Sequence, residues 1–266
     1  MKEILRLENI DFSYDEERTA LNGLSVALYA GQKVAILGNN GAGKSTFFLC
    51  CNGVLQPSGG TVYLDGDAVA AKNAGRAQLR RKVGLVFQDP DSQLIAGTVE
   101  AEVSFGPMNL RLPVEEVRQR VDAAIGALHL EDFRSRQPHS LSGGEKKRVS
   151  LADVLAMDPE LLLLDEPAAS LDPANTRLLE ENLHELSTRG LGLVIATHDL
   201  DIAWRWAERI LVFHGGTLQA DGAPEDIFGD EELLNRCGLQ QPTLYRVGKL
   251  WNLSPLPKTV EDLPRH

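Results

Sequence analysis

Gly38-Asn39-Asn40-Gly41-Ala42-Gly43-Lys44-Ser45, followed by Thr46, is the stretch from which the rest of the chain can be read. It fits G-x-x-x-x-G-K-[ST], a phosphate-binding loop. Apolar Val34-Ala35-Ile36-Leu37 precedes it and Phe47-Phe48-Leu49 follows without a breaker, so the pattern lies between a strand and a helix, as it must. The glycines let the backbone curl until successive N–H groups point at phosphate oxygens. The helix that follows adds the positive end of its dipole. Lys44 is placed to reach the β- and γ-phosphates and the Ser45 hydroxyl to hold Mg²⁺, which makes ATP with Mg²⁺ the expected ligand.

The 266 residues suit one large domain with a small appendage. A net charge of −11 argues against broad binding to nucleic acid or to an anionic membrane, both of which need a basic face. Cys50, Cys51 and Cys237 are odd in number and two are adjacent, so no disulfide framework is implied and a reducing compartment is expected. The six histidines and three cysteines show no ligand spacing, which speaks against a transition-metal site held by this chain. Met1-Lys2-Glu3 runs straight into strand-like sequence, so no signal peptide is expected. The longest apolar runs, such as Leu161 to Leu164, are far too short to span a bilayer. Work at a membrane would go through partners.

Ile4 to Phe12 alternates with period two and reads as an edge-type strand, ended by Tyr14 ahead of a charged turn at Asp15-Glu16-Glu17-Arg18. Leu24, Val26 and Leu28 alternate in a second strand. Gln56-Pro57-Ser58-Gly59-Gly60 signals a turn before the strand Thr61 to Leu64. Val83 to Phe87 reads as a buried strand ending at Gln88. From about residue 89 to 158 the pattern turns helical, with Pro113 at a first helical position and Val114, Val117, Val121, Ile125 and Leu128 on one face. A second helix is expected from Gly143 to about Met157. Beyond it come a buried strand at Leu161 to Leu164, a helix from Pro173 to Arg189 stopped by Gly190, and a buried strand at Leu193 to Ala196. A short helix from Leu200, the strand Ile210 to Phe213, a Gly215-Gly216 hairpin and Thr217 to Ala220 complete the domain. After about Glu231, Pro242, Pro255, Pro257 and Pro264 punctuate short apolar pieces around Tyr245, Val247, Leu250 and Trp251. This tail is too apolar for a disordered linker; its pattern fits docking on its own domain or on a second subunit equally.

Two further motifs carry chemistry. Leu161-Leu162-Leu163-Leu164-Asp165-Glu166 delivers two carboxylates at the C-terminal end of a buried strand, where ligands sit in parallel sheets. Asp165 is expected to orient the Mg²⁺ shell and Glu166 to polarise the attacking water as general base. Leu141-Ser142-Gly143-Gly144-Glu145, with Lys146-Lys147-Arg148 after it, puts a hydroxyl, free N–H groups and a dipole at a helix start, an anion-binding arrangement.

The phosphate loop, this LSGGE and the later Asp165-Glu166 together resemble the nucleotide-binding domain of the ABC ATPase superfamily, over about residues 3 to 230. The resemblance implies an α/β P-loop fold: a parallel-sheet, RecA-like core, an antiparallel β layer, an inserted helical subdomain near 89–158, and a small C-terminal extension over 231–266. It also implies a head-to-tail dimer in which Ser142, Gly143, Gly144 and Glu145 of one copy cap the γ-phosphate held by the other. On the same basis Gln88 matches the loop glutamine that senses Mg²⁺ and water. Ser170-Leu171-Asp172 matches the loop crossing the dimer interface, His198 the switch histidine at the γ-phosphate, and Tyr14 the aromatic that stacks on adenine. The chain departs from many relatives at Ala168-Ala169, where no ligand role is lost.

Within that superfamily, Phe87-Gln88-Asp89-Pro90-Asp91-Ser92-Gln93-Leu94 and Gly144 to Ser150 look like the ATPase subunit of energy-coupling-factor importers. The likeness is greatest to the subunit serving cobalt uptake, with nickel close behind and a vitamin importer as an alternative. It implies an integral-membrane coupling subunit docking at the Gln88 loop, a separate substrate-capture membrane subunit, and a place on the cytoplasmic face of the membrane. With every catalytic position intact, a homodimer is the simpler expectation, and the tail matches a family extension used for dimer contacts. A soluble ABC ATPase acting on ribosomes or DNA is opposed by the single domain, the missing heptad run and the acidic charge.

Overall fold

The computed structural model describes residues 1–15, 18–70 and 72–264. Glu16 and Glu17 of the expected charged turn lie outside them. The first elements are β1 (Glu3–Ser13), β2 (Thr19–Tyr29), β3 (Lys33–Leu37), α1 (Lys44–Cys51), β4 (Gly59–Leu64), β5 (Asp67–Ala68), α2 (Asn73–Lys82) and β6 (Val83–Val86). Then follow α3 (Val99–Asn109), α4 (Val114–Ala127), α5 (Gly143–Leu155), β7 (Leu161–Asp165), α6 (Pro173–Thr188), β8 (Gly192–Ala196), α7 (Leu200–Trp206), β9 (Arg209–His214) and β10 (Thr217–Gly222). Three short helices close the chain: α8 (Pro224–Gly229), α9 (Glu231–Cys237) and α10 (Thr243–Leu250).

Ten strands form two sheets among the described residues. One is antiparallel, in the order β2-β1-β4-β5; the other runs β10-β9-β3-β8-β7-β6 and is parallel except where β10 meets β9. This is the α/β class with a parallel core and an antiparallel layer that the motifs imply. Strands β3, β7 and β8 are apolar on both faces, as a parallel sheet covered on both sides requires. Their alternation splits the core in two. Ala35, Leu37, Leu162, Leu164, Leu193 and Ile195 face a cluster shared with α4 to α7 and the C-terminal helices. Val34, Ile36, Leu161, Leu163, Val194 and Ala196 face α1 and the antiparallel sheet.

Several expectations are corrected. β1 is not an edge strand: it pairs with β2 on one side and β4 on the other. Its period-two pattern reports one buried face, which interior and edge strands of an antiparallel layer share. Gly59 and Gly60 belong to β4 rather than to the turn, opposite a break in the β1–β4 register between Glu8 and Asp11. β6 stops at Val86, leaving Phe87 half-exposed. Pro113 sits at the N-cap of α4, one residue earlier than expected, and Val114 faces solvent while Val121, Ala124 and Ile125 are buried. Two helices carried no usable pattern. α2 is strongly basic and buries only Gly75 and Leu79, and α3 contains Gly106 and Pro107 near its end.

The C-terminal helices pack on the chain's own core. Tyr245 is buried with its ring edge-on to Trp204 at 5.1 Å, and Phe228 lies 6.0 Å from the same indole. The Trp204 indole N–H donates to the carbonyl of Pro257 at 2.8 Å. Leu250, Trp251 and Val260 remain exposed.

Candidate functional site: a nucleotide cleft at the ends of three strands

The site lies where β3, β8 and β7 end side by side. Hydrogen bonds beyond the strands hold these ends in register: Thr197 N–H to Ile36 O at 3.1 Å and Glu166 N–H to Ala196 O at 2.9 Å. A cleft of about 440 Å³ opens there, lined by Tyr14, Asn40 to Thr46, Gln88, Asp165 and Glu166. Arg18, Thr19 and Ala20 also line it. Motif reading assigned these three no part in the site, because their contribution comes from the path of the turn after Tyr14.

The loop 38–43 leads from β3 into α1. Gly43 is the N-cap of α1 with φ +101°, and a Cβ there would sit 2.6 Å from Ala20 O, so only glycine closes the loop against β2. The α1 N-cap makes no side-chain cap bond, and the first-turn N–H groups are left for a ligand. Lys44 is buried, and its ammonium curls back onto Gly38 O at 2.6 Å and Asn39 O at 3.4 Å. Burial lowers its pKa, against the fields of Glu166 and Asp165, which favour the charged form. Asn39 turns its side chain away from the cleft, its amide donating to Cys237 O at 3.1 Å at the end of α9. Tyr14 is half-exposed, with its hydroxyl 3.1 Å from Thr46 Oγ1 and its ring edge-on to Phe12. That leaves a ring face open at the cleft mouth.

Asp165 and Glu166 are both buried at the end of β7. Burial raises the Asp165 pKa; a hydrogen bond from Ser45 opposes this, and the neighbouring Glu166 charge adds to it. A buried carboxylate beside a hydroxyl, with the Gln88 side chain on the same cleft, is a hard-oxygen donor set suited to Mg²⁺. No group of three or more His, Cys, Asp or Glu side chains converges on a metal-sized point among the described residues. Glu166 has φ +46°, a conformation that costs a non-glycine residue about 1–3 kcal/mol. Its Oε2 lies 2.9 Å from His198 Nδ1, and the imidazole is otherwise exposed.

Ser142 to Glu145 lie elsewhere and do not line this cleft. Ser142 caps α5 in a reciprocal box: its N–H and hydroxyl donate to Glu145 Oε2 at 2.7 and 2.8 Å, and Glu145 N–H donates to Ser142 Oγ at 3.4 Å. The bond from the Ser142 N–H is the main cause holding the Glu145 carboxyl below its usual pKa. Ser142 and Gly143 are exposed, and nothing lies within 4 Å of where a Gly143 Cβ would stand. Gly144 is packed against Asn175, whose N–H and amide both donate to Asp172 at 2.8 Å. Asp172 caps α6, and Ser170 and Asp172 are exposed with Leu171 half-buried between them. The fold therefore gathers the loop, Gln88, Asp165, Glu166 and His198, and leaves the Ser142–Glu145 helix start outside the cleft with Ser142 and Gly143 exposed.

Comparison with known proteins agrees with this geometry. The ABC transporter family model matches residues 21–169. Over its whole length the chain is 41% identical to the energy-coupling factor transporter ATP-binding protein EcfA2 of Methanospirillum hungatei, of which it covers 68%. It shares 38% identity and a TM-score of 0.80 with the structure of cbiO1 from Clostridium perfringens, described as part of the ABC transporter complex cbiONQ, covering 95% of this chain and 100% of that one. A dimeric post-hydrolysis state of the ATP-binding cassette MJ0796, bound to ADP and Pi, matches with 29% identity and a TM-score of 0.73, over 83% of this chain and 99% of that one. The chain belongs to the ABC transporter family, as an ATPase whose nucleotide hydrolysis is coupled to transport. No described helix is long and apolar enough to cross a membrane.

Proposed function

We propose that this chain is the ATP-binding and hydrolysing subunit that, as a homodimer, energises a multi-subunit energy-coupling-factor importer for cobalt ions. The observation that carries the reading is the likeness to cbiO1, which extends over 95% of this chain. Homologues named as energy-coupling factor ATP-binding proteins support the transporter class. The preference for cobalt rests on the Phe87 to Leu94 segment and on Gly144 to Ser150.

In the mechanism that fits the site, adenine lies on the open face of Tyr14 and the polyphosphate on the amino end of α1. Lys44 leaves the Gly38 and Asn39 carbonyls for the β- and γ-phosphates, so nucleotide binding resets the loop. Mg²⁺, where held by Ser45, Gln88 and Asp165, would neutralise charge on the phosphates. Glu166 polarises the attacking water, and His198 positions that carboxylate and the γ-phosphate. Ser142 and Gly143, exposed at the start of α5, and Gly144 behind them, with Glu145 fixing their conformation, supply the other half of the γ-phosphate site to a second copy. Ser170 to Asp172 lie at that interface. Gln88, exposed next to half-exposed Phe87, reports nucleotide state to an integral-membrane coupling subunit, which in turn serves a separate substrate-capture subunit on the same membrane.

Co-purification with its membrane subunits, followed by ATP-driven uptake of cobalt, nickel and vitamins into vesicles, tests the reading. Cobalt uptake that stops with Glu166→Gln is expected. Uptake of nickel or a vitamin alone would replace the substrate, and failure to assemble on any membrane subunit would overturn the transport role.

A further inference from the structure

Lys147 is a cation that the mechanism above does not use. It lies one turn into α5, on the same face as Gly143 by its i, i+4 spacing. Its ammonium donates to the backbone carbonyls of Glu166 at 3.1 Å and Pro167 at 2.9 Å. These two carbonyls bracket the start of the turn in which Glu166 adopts φ +46°. Three other bonds shape that turn: Glu166 N–H to Ala196 O at 2.9 Å, Ala169 N–H to Glu166 O at 3.1 Å, and Leu171 N–H to Ala168 O at 3.2 Å. All three are neutral backbone bonds, whereas the two from Lys147 are charge-assisted and roughly twice as strong.

We propose that Lys147 is a positioning residue that holds the Glu166 backbone in its reactive conformation and transmits to it the state of the Ser142–Gly144 end of α5. This rests on the reading in which Glu166 is the general base and that helix end receives the partner's γ-phosphate. An α-helix moves as a rigid body over one turn, so a shift of its first turn displaces the Lys147 ammonium, and with it the Glu166–Pro167 peptide. A cleft of about 360 Å³ between α5 and the 169–171 segment, lined by Gln88, Gly143, Lys147 and Ser170 among others, leaves room for such a shift. Phosphate captured in one ATP site thereby adjusts the general base of the other.

The test uses the full-length dimer with Lys147→Met and Lys147→Arg, each alone and combined with Glu166→Gln, reading kcat, KM for ATP, nucleotide affinity and Tm. Losing the charge-assisted bonds should lower kcat about tenfold or more in Lys147→Met. KM should stay within about twofold, since the nucleotide contacts are untouched. Arginine should restore most of the rate, and Lys147→Met should add nothing in the Glu166→Gln background. Wild-type kcat in Lys147→Met, no rescue by arginine, or losses that multiply in the double variant would overturn the proposal. Should Lys147→Met fail to fold, Lys147→Gln against Lys147→Arg decides on the same criteria. Turnover retained by Glu166→Gln alone would instead overturn the general-base assignment beneath it.

Discussion

Glu166 combines burial, a left-handed backbone and a 2.9 Å contact with His198, so its carboxylate is aimed rather than merely present. Glu166→Gln keeps the shape and removes the proposed base. Turnover should fall by about 10²–10⁴ while ATP binding persists, measured by steady-state hydrolysis beside equilibrium nucleotide binding. Unchanged hydrolysis would take the role away from it. Lys44→Ala removes the one ammonium that can leave the loop carbonyls for phosphate. Tight ATP binding should be lost, and normal binding would sink the phosphate-loop assignment. At this scale the motifs were readable because they fix chemistry through spacing along the chain. Arg18 and Lys147 were not: their places in the site come from a chain turn and from a contact between a helix and a distant turn that no local pattern encodes.

At the level of elements, α5 carries a charge in an awkward place. Asp153 is held against Gln93 at 3.3 Å, and burial raises its pKa to about 6, with nearby Glu102 pushing the same way and the Gln93 bond opposing. A folded-state pKa above the ordinary 3.8 means the native state holds the proton more tightly than the unfolded chain. That contribution to stability is fully present below about pH 3.8 and lost as pH rises through about 6. At neutral pH the charged Asp153 destabilises the fold by on the order of 2–3 kcal/mol. Asp153→Asn should therefore raise Tm at pH 7.5 and lose most of that advantage near pH 4.5; an equal gain at both pH values would contradict this. Strands β3, β7 and β8 and helix α6 were legible from apolar runs and stop signals. Helix α2 escaped because its basic, mostly solvated surface has no apolar stripe, and the interior position of β1 escaped because alternation encodes a buried face and not a neighbour.

On the scale of the whole molecule, the proposed function makes two half-sites of the cleft at the strand ends and the Ser142–Gly144 helix start, which does not line that cleft. The C-terminal helices from Glu231 onward contribute Leu233, Leu234 and Tyr245 to the core, so deleting them should cost stability whatever their partner. Exposed Leu250 is the better probe of the dimer role. Leu250→Asp should weaken self-association in sedimentation experiments at unchanged Tm, and an unaltered dimer would remove the tail from the interface. The composite site itself is tested most directly by mixing two defective variants, Ser142→Arg and Glu166→Gln. A mixed dimer joins the intact cleft of the Ser142→Arg chain to the intact helix start of the Glu166→Gln chain, restoring one complete site. The measurement is ATP turnover of the equimolar mixture. Turnover well above that of either variant alone is predicted, and turnover no higher than their average, with mixed dimers shown to form, would contradict a site shared between two copies.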